Sequence, residues 1–473
     1  MSTTNDLPID PVQIERNFRE IAPPLTQAEA FFEASRCLYC YDAPCTRACP
    51  THIDVPAFIK KIASGNLFGS ARVIFDANPI GATCARVCPV EALCEGACVE
   101  GTLMEQPIQI GRLQRYATDY LMSTGREIFS AGAPNGKSVG IVGSGPAGLS
   151  CATYLARLGY QVTIYDRKPL AGGLDTYGMA EYKMSQRVST DEAELVSRLG
   201  VEFKLKTEIG RDISVEDLSA RHDALFLAIG LGATARLNIP GEDLPGVYDA
   251  LDFIEKVKTR DWSNVPIGRT VAVIGAGNTA IDAVTQAKRL GAERVMMIYR
   301  RSQREMPAYS YEFELAKKDA VEFWWQTAPV EILASEDGTR AAALRCIRME
   351  LGPPDATGRR SPQPVAGSEF VIEVEMVIKA LGQQKMREFL ASIPGIQLDT
   401  AGRVVVNPTT MQSDNPKIFA GGDCVNGGRE AVDASQMGKL AAMGIHEALT
   451  GEHAEFAGAR LPQLEETQDV KRH

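Results

Sequence analysis

From residue 137 onward, short apolar runs alternate with amphipathic stretches, a hydrophobic pattern typical of β/α folds. It predicts a strand, a helix and a strand at Val139–Val142, Ala147–Leu158 and Val162–Asp166, and the same succession at Val271–Ile274, Thr279–Leu290 and Val295–Tyr299. Further strands that run into glycine are predicted at Ala224–Gly230 and Val377–Gly382. Two βαβ starts in one chain predict two Rossmann-like dinucleotide-binding domains.

Residues 1–130 have a different texture, with helical spacing at Gln27–Glu33, Pro56–Ala63 and Gly111–Met122. Two runs of cysteines fall between these stretches, and we expect both runs to lie in loops. The turn-forming residues 130–136 predict a linker. The polar residues after Gly451 predict a poorly ordered tail.

Composition narrows the function classes. The chain has 473 residues, 45% of them hydrophobic and 23% charged, which is ordinary globular composition. Its formal net charge of −10 argues against non-specific nucleic-acid binding. No apolar run reaches the length of a membrane span. Unbridged metal-binding thiols would need a reducing compartment, so we expect a cytoplasmic protein.

Eight of the eleven cysteines form two tight runs. The runs are Cys37-x2-Cys40-x4-Cys45-x3-Cys49-Pro and Cys84-x3-Cys88-Pro-x4-Cys94-x3-Cys98. Two groups of four thiols favour two iron–sulfur clusters, although the spacing departs from the ferredoxin pattern and Cys-x2-Cys also suits structural zinc. The other three cysteines (Cys151, Cys346 and Cys424) are expected to be ordinary buried residues.

The first glycine fingerprint, Gly143-x-Gly145-x-x-Gly148, follows a predicted strand and opens a predicted helix. Such a turn lets the backbone approach a pyrophosphate, and the helix N-terminus favours its negative charge. Asp166 ends the next strand, where a carboxylate can accept hydrogen bonds from ribose hydroxyls. Together with Gly172-Gly173 and a late Gly-Gly-Asp run that ends at Asp423, it predicts an FAD site.

The second fingerprint is Gly275-x-Gly277-x-x-Ala280, and the strand after it ends in Arg300-Arg301 rather than in an acid. A guanidinium at this position can pair with the 2′-phosphate that distinguishes NADP from NAD. The alternative is that Arg300, Arg301 and Arg304 form a solvated basic turn. The fingerprint therefore predicts a nicotinamide nucleotide site with a preference for NADP.

The chain resembles the electron-input half of dihydropyrimidine dehydrogenase and its bacterial stand-alone subunit, and more distantly the small subunit of NADPH-dependent glutamate synthase. The most specific likeness is the Cys37–Cys45 run, followed by Cys49-Pro-Thr-His and by the run from Thr83 to Pro89. The stretch after Tyr299, up to Met306-Pro307, is instead like the glutamate synthase subunit.

The resemblance implies two interleaved [4Fe-4S] clusters. The first would be held by Cys37, Cys40, Cys45 and Cys98, and the second by Cys49, Cys88, Cys94 and the amide of Gln114, which leaves Cys84 out. Gln114 favours the pyrimidine branch, because glutamate synthase subunits tend to have Glu at this position. One departure is Lys183, which stands where relatives have an arginine at the flavin.

The predicted fold is therefore α/β: an N-terminal helical double [4Fe-4S] domain (1–130), an FAD domain in two segments (131–264 and 385–455), an inserted NADP domain (265–384) and a tail (456–473). The residues predicted to bind FAD are Gly143, Gly145, Ala147, Gly148, Asp166, Gly173, Leu174, Lys183, Gly422 and Asp423. Those predicted to bind NADP are Gly275, Gly277, Asn278, Thr279, Ala280, Arg300, Arg301 and Gly382.

We expect an electron-input subunit that passes electrons from NADPH through FAD and both clusters to a flavin-containing catalytic partner, which reduces uracil or thymine. The predicted assembly is a hetero-oligomer, with neither nucleic acid nor membrane as a partner. No general acid or base is assigned within the chain. Two alternatives stay open: the small subunit of glutamate synthase, and a zinc-stabilised nucleotide-sensing scaffold.

Overall fold

A computed structural model describes residues 9–260, 262–354 and 360–459. The chain divides into two compact units, each built from several segments. Unit 1 comprises Met1–Ile21, Tyr177–Tyr182 and Gly232–Gln384, and unit 2 comprises Ala22–Thr176, Lys183–Leu231 and Lys385–His473. The finer division into three domains and a tail stays a prediction.

The N-terminal region is helical, as predicted. Helices α1 to α8 lie at Pro11–Asn17, Gln27–Ser35, Pro44–Ala48, Val55–Ala63, Leu67–Ala77, Gly81–Val87, Val99–Leu103 and Ile110–Thr124, with a 3₁₀ turn at Val90–Ala92. Helix α1 belongs to unit 1 and the others to unit 2. The helix starts follow local chemistry: Thr26 and Glu29 form a capping box at α2, and Asp54 caps α4. Apolar side chains such as Phe58, Ile74 and Leu113 form the core between the helices.

The chain then enters the first β/α segment. In chain order its elements are β1 (Ser138–Val142), α9 (Pro146–Arg157), β2 (Gln161–Asp166), α10 (Leu174–Tyr177), α11 (Gln186–Ser197), β3 (Glu202–Leu205), α12 (Val215–Arg221) and β4 (Ala224–Leu227). The predicted strand–helix–strand succession is confirmed here. Residues 126–137 contain neither helix nor strand, and their role as a linker stays a prediction.

Unit 1 contains the second β/α segment. Its elements are β5 (Val247–Asp249), α13 (Ala250–Lys258), β6 (Thr270–Ile274), α14 (Asn278–Arg289), β7 (Arg294–Ile298), α15 (Ser310–Lys318), β8 (Glu322–Trp324), β9 (Thr327–Ala334), β10 (Ala341–Pro354), β11 (Arg360–Pro364), β12 (Phe370–Glu373) and β13 (Met376–Lys379), with 3₁₀ turns at Trp262–Asn264 and Gln303–Glu305. A parallel sheet has the order β5-β13-β6-β7-β8. Strands β9 to β12 form a separate antiparallel sheet that the sequence did not predict.

The chain returns to unit 2 with α16 (Arg387–Ala391), β14 (Ile418–Ala420), α17 (Asp423–Asn426) and α18 (Ala431–Thr450). Strand β14 completes a parallel sheet of order β14-β4-β1-β2-β3. The glycine motifs follow the carboxyl ends of its central strands. All strands of a parallel sheet end at the same edge, so these motifs lie on one side of the sheet. Within the described residues, none of the helices has the length and apolar character that a membrane span requires.

Two expectations are wrong in part. Cys45 lies within α3 and Cys84 within α6, so the cysteine runs are not confined to loops. The tail is packed as far as it is described: the ring of Phe456 lies 4.5 Å from that of Tyr154, and Ala459 is buried. Residues 460–473 of the predicted tail lie outside the described residues.

Candidate functional site

Four cysteines of unit 2 surround one cavity, which we name the cluster I site. The cavity encloses about 360 Å³ including its open mouth, and its lining includes Cys37, Cys40, Cys45 and Cys98. Cys45 is carried by α3, whose start is set by Pro44 in the first turn, and Cys98 precedes α7. The structure thus brings together the four residues that the resemblance groups, across more than fifty residues of sequence.

A second group, the cluster II site, consists of Cys49, Cys88, Cys94 and Gln114. The first three thiols interact electrostatically with one another, and Cys49 and Cys88 follow the ends of α3 and α6. Gln114 is buried on α8, and its Nε2 donates to the carbonyl oxygen of Gly81 over 2.7 Å. This bond fixes the nitrogen side of the amide, so Oε1 is the group that could meet an iron.

The surroundings raise the pKa of four of these thiols: Cys37, Cys45, Cys88 and Cys94. Burial raises the pKa of Cys45 to about 12, and burial with neighbouring cysteines raises the pKa of Cys94 well above its usual value. Cys98 and Cys37 add like charge near Cys45. A bound cationic metal core would reverse this preference, because metal coordination deprotonates a thiol outright.

The cysteines are not arranged around one ion. Among the described residues, no three Cys, His, Asp or Glu side chains are spaced to hold a single metal ion. Tetrahedral zinc would require its sulfur ligands to converge to about 2.3 Å from one point. A cavity ringed by four cysteines fits a polynuclear cluster better than it fits zinc.

Cys84 is set apart from these ligands. It is buried in α6, and the side-chain Nδ2 of Asn78 donates to its sulfur over 3.2 Å. It lies one helical turn before Cys88 and hydrogen-bonds with it. A thiol that is already held by its neighbours suits the predicted omission of Cys84 from the ligands. Cys151, Cys346 and Cys424 are buried, as expected.

The first glycine loop leaves room for a ligand but no room for side chains. Gly143 has φ +104°, and a Cβ there would lie 2.3 Å from the carbonyl oxygen of Ala228. A Cβ at Gly148 would lie 2.0 Å from the carbonyl oxygen of Gly143. A Cβ at Gly145 would have the Cα of Gly173 as its nearest neighbour, at 3.8 Å. The backbones of these two glycines therefore border one open surface.

The acidic residues of this site have different surroundings. Asp166 Oδ2 accepts from the amide and the hydroxyl of Ser144 over 2.8 and 2.5 Å, and Oδ1 accepts from the amide of Lys168. Asp166 therefore holds the glycine loop in shape, and its lone pairs beyond these bonds could still receive a ribose hydroxyl. Burial raises the pKa of Asp423, at the first turn of α17.

Two further residues predicted to bind FAD, Gly422 and Leu174, lie next to the first glycine loop. A Cβ at Gly422 would lie 3.2 Å from the Cβ of Ala147 in α9, so the late motif adjoins the first fingerprint. Leu174 begins α10 directly after Gly173. Lys183 is half-buried in the turn before α11, and its role at the flavin stays a prediction.

The second glycine loop, in unit 1, has the same design with one change. Gly275 has φ +133°, and a Cβ there would lie 2.2 Å from the carbonyl oxygen of Ala380. A Cβ at Gly277 would lie 4.0 Å from its nearest neighbour, the Cγ of Pro307. This leaves an open backbone surface at the start of α14. Ala280 is fully buried in α14, where a methyl group is tolerated in place of the third glycine.

The other predicted residues lie at the rim of this loop. The Oδ1 of Asn278 accepts from the amide of Tyr309, which ties the helix start to the segment after β7. Thr279 is half-buried in the first turn of α14. Gly382 follows β13 with φ +84° and open space on its Cα. All three lie near the carboxyl edge of the unit 1 sheet.

The basic residues after β7 have no acidic partners. Among the described residues, Arg300, Arg301 and Arg304 form no ion pair with a carboxylate, whereas Arg294 at the start of β7 pairs with Glu322 at 2.8 Å. Arg300 is exposed, and the Nε of Arg301 is buried without a hydrogen-bond partner. Guanidinium groups of this kind fit the phosphate of a nucleotide.

Two supporting residues were missed by sequence reasoning. Glu192 on α11 is buried, and its carboxylate accepts from the amides of Ala82 and Thr83 at the start of α6. Lys439 on α18 is also buried. Neither belongs to a motif, since each meets its partners only through long-range packing, and no sequence signal marked them.

Comparisons with known proteins identify the family. A family model described as dihydropyrimidine dehydrogenase domain II, 4Fe-4S cluster, matches residues 14–126, and one described as pyridine nucleotide-disulphide oxidoreductase matches residues 137–438. The small chain of NADPH glutamate synthase from Escherichia coli K12 is 38% identical over 457 residues, which covers 93% of this chain and 96% of that one. The chain belongs to the glutamate synthase small-chain family of pyridine nucleotide-disulphide oxidoreductases.

Other members and folds are similar as well. The beta subunit of an NADP(+)-dependent formate dehydrogenase from Moorella thermoacetica is 34% identical over 452 residues, covering 90% of this chain and 62% of that one. Mycobacterium tuberculosis FprA in complex with NADPH has the same fold, with a TM-score of 0.55 at 19% identity over 67% of this chain and 85% of that one.

These matches establish the cofactors of this family member: FAD, NADP and 4Fe-4S clusters. The chain is thus an NAD(P)-dependent oxidoreductase with a helical iron–sulfur domain and Rossmann-like domains, as predicted. The interpretation as a zinc-stabilised scaffold is excluded. Which residues hold each cofactor remains a prediction, and the cavity and glycine surfaces described above fit it.

Proposed function

We propose that this chain is the NADPH-oxidising electron-input subunit of a dihydropyrimidine dehydrogenase. In this role it takes electrons from NADPH and delivers them one at a time to a catalytic partner that reduces the 5,6 double bond of uracil or thymine. The observation that carries the choice of partner is Gln114, whose buried amide donates to the Gly81 carbonyl, at a position where the glutamate synthase branch tends to have Glu.

The chain's own residues would bind and orient the cofactors. Arg300 and Arg301 would grip the 2′-phosphate of NADPH, and the Gly275–Ala280 loop its pyrophosphate. The Gly143–Gly148 loop and Asp166 would hold FAD, with Gly173 and Gly422 bordering it. When bound, FAD accepts a hydride and the four-iron clusters carry single electrons onward.

We also propose a separate partner because no proton donor for a pyrimidine is assigned among the described residues. Reduction of a C=C bond requires an acid that protonates the carbon next to the one receiving hydride. The cysteines outside the two cluster sites are buried: Cys84, Cys151, Cys346 and Cys424. We therefore assign no proton donor for a pyrimidine to this chain, and the substrate site falls to the partner.

The glutamate synthase small subunit is the second candidate. It is favoured by the 38% identity that spans 96% of the Escherichia coli small chain. Identity alone does not select the partner, however, because a formate dehydrogenase subunit is nearly as similar, at 34%. The deciding feature has to be found in the residues that differ between branches, of which Gln114 is one.

The partner can be identified by capture from the native host with a tagged chain under anaerobic conditions. We expect the captured complex to reduce uracil and thymine with NADPH and to form no glutamate from glutamine and 2-oxoglutarate. Partner-dependent glutamate formation without pyrimidine reduction would contradict the proposal and support the second candidate. The free chain, assayed in parallel, should do neither.

A further inference from the structure

Lys439 is a fully buried lysine in the middle of α18. Its Nζ donates to the carbonyl oxygen of Ala457 over 2.8 Å and to that of Thr51 over 3.2 Å. The neighbouring Gly438 packs so closely on α9 that a Cβ there would lie 2.2 Å from the carbonyl oxygen of Ala147. Lys439 therefore lies in unit 2 between the helix that follows the first glycine loop and the Cys49–Thr51 segment.

No carboxylate neutralises this lysine. Among the described residues, Lys439 forms no ion pair. The nearby carboxylate of Asp76 is bound at 2.7 Å by Arg157, whose own charge opposes that of Lys439. Buried charges are costly unless they are paired, so a charged ammonium here would be stabilised by an anion other than the carboxylates of the described residues.

The anion is available at the cluster II site. Thr51, which accepts from Lys439, is two residues after Cys49, and its hydroxyl lies 3.4 Å from the Cys49 sulfur. Among the charged groups near Lys439, a Cys49 thiolate would have the largest effect on the pKa of the lysine, and it would raise that pKa. A four-iron cluster with three thiolates and one neutral amide carries net negative charge, which increases by one unit upon reduction.

We propose that Lys439 is a positioning residue whose ammonium group serves as the buried counter-charge of cluster II and raises its reduction potential. Reduction would add one negative charge to cluster II, and the charged form of Lys439 would stabilise that charge without any bond being made or broken. The inference rests on the proposed ligand set Cys49, Cys88, Cys94 and Gln114, and it does not depend on which partner receives the electrons.

Other groups around Lys439 do not replace it. The ring of Tyr154 lies 5.8 Å from Nζ, and its burial raises the pKa of its hydroxyl, so the phenol stays neutral. His52 Nδ1 donates to the Gly458 carbonyl, and burial together with Lys439 lowers its pKa. Burial lowers the pKa of Lys439 itself to about 7, while Cys49 as a thiolate acts in the opposite direction.

The test is an anaerobic redox titration of the purified chain, followed by electron paramagnetic resonance of both clusters. In Lys439→Met the equilibrium constant for electron transfer onto cluster II should fall on the order of tenfold, which is about 59 mV for a one-electron couple. Cluster I should move less. The matched control is Lys417→Met, another lysine of unit 2 that donates to a backbone carbonyl, that of Ser219.

Further variants separate charge from hydrogen bonding. Lys439→Gln keeps donor groups but has no charge, so its cluster II potential should fall as in Lys439→Met. An unchanged potential in both variants overturns the inference alone. Cys88→Ser should remove the cluster II signal, and persistence of both signals overturns the ligand set as well. If Lys439→Met does not assemble cluster II, restoration by Lys439→Arg but not Lys439→Gln supports the inference, and restoration by Lys439→Gln overturns it.

Discussion

At the scale of single residues, the predicted NADPH site rests on two arginines that form no ion pair with a carboxylate of the described residues. Arg294 is paired with Glu322, whereas Arg300 and Arg301 are without a carboxylate partner among the described residues. A free guanidinium can give charge-assisted bonds to a 2′-phosphate, and each such bond contributes about 1.5–3 kcal/mol. The buried Nε of Arg301 has no hydrogen-bond partner, which suits the predicted phosphate site.

The double variant Arg300→Ala/Arg301→Ala should therefore lose roughly ten- to a hundred-fold in kcat/KM for NADPH, at about 1.4 kcal/mol per decade. The value for NADH should change little, because NADH lacks the phosphate. Steady-state kinetics with ferricyanide as acceptor measures both, and Arg294→Ala is the matched control. Equal losses with both nucleotides would mean that the arginines only support the turn.

The cysteines offer a second residue-level test. Cys88→Ser should remove one cluster and leave about four irons per chain, since each four-iron cluster needs its full ligand set. Cys84→Ser should keep both clusters, because the sulfur of Cys84 is already held by Asn78 and Cys88. Iron and acid-labile sulfide analysis measures the difference. Loss of a cluster in the Cys84 variant would refute the ligand assignment.

At the scale of elements, α6 is hydrogen-bonded both to α11 and to α8 of unit 2. In its first turn, the backbone amide of Ala82 donates to the carboxylate of Glu192 on α11. The carbonyl oxygen of Gly81 accepts from the side-chain amide of Gln114 on α8. One short helix therefore fixes both the Cys88 backbone and the predicted amide ligand. The bonds from Ala82 and Thr83 to Glu192 thus link α11 to α6, and Cys88 directly follows α6.

Glu192 gives this element a pH dependence with a definite sign. Burial raises its pKa to about 8, although the bonds from Thr83 and Ala82 oppose the shift. The folded state then binds more protons than the unfolded state between the ordinary pKa of 4.5 and about 8, so stability falls as pH rises through this window. The loss approaches about 1.4 kcal/mol for each pKa unit of difference.

Glu192→Gln imitates the protonated carboxyl and should remove this dependence. The melting temperature of the variant minus that of the unmodified chain should be larger at pH 8 than at pH 6. Circular dichroism under anaerobic conditions measures both temperatures. The exposed Glu194 of the same helix provides the control variant Glu194→Gln. A constant difference between pH 6 and pH 8 would show that Glu192 does not titrate in this range.

The sequence predicted the elements that are long enough to show a hydrophobic period, and it missed helices that are too short to show one. The strand at Val139–Val142 and the helix at Ala147–Leu158 match β1 and α9 to within one residue. Helices α3 and α6 have five and seven residues, too few to show a 3.6-residue period. The antiparallel strands around β10 were missed because their burial alternates irregularly and marks no clear inward face.

At the scale of the whole molecule, the two glycine fingerprints and the cysteine runs predicted the fold class and the cofactors. The pairing of Cys98 with Cys37 and of Cys94 with Cys49 could not be derived from spacing, because it depends on how α3 to α8 pack. The resemblance supplied that grouping. The roles of Glu192 and Lys439 had no sequence signal, since Glu192 meets Thr83, and Lys439 meets Thr51, across more than one hundred residues.

A division of labour between this chain and its partner follows from the proposed function. We expect the isolated chain to oxidise NADPH with ferricyanide and to leave uracil and thymine unreduced, because it has no assigned proton donor. Adding the captured partner should start pyrimidine reduction and reoxidise the clusters. Uracil turnover by the chain alone, followed as dihydrouracil formation, would refute this division.

The central claim is that one chain holds FAD and two four-iron clusters that NADPH can reduce. The most direct measurement is a stepwise anaerobic titration of the purified chain with NADPH, followed by its visible spectrum after iron, sulfide, zinc and flavin analysis. The account predicts about eight irons and one FAD per chain, with NADPH bleaching both flavin and cluster absorbance. Stoichiometric zinc without acid-labile sulfide, or clusters that NADPH leaves oxidised, would contradict it.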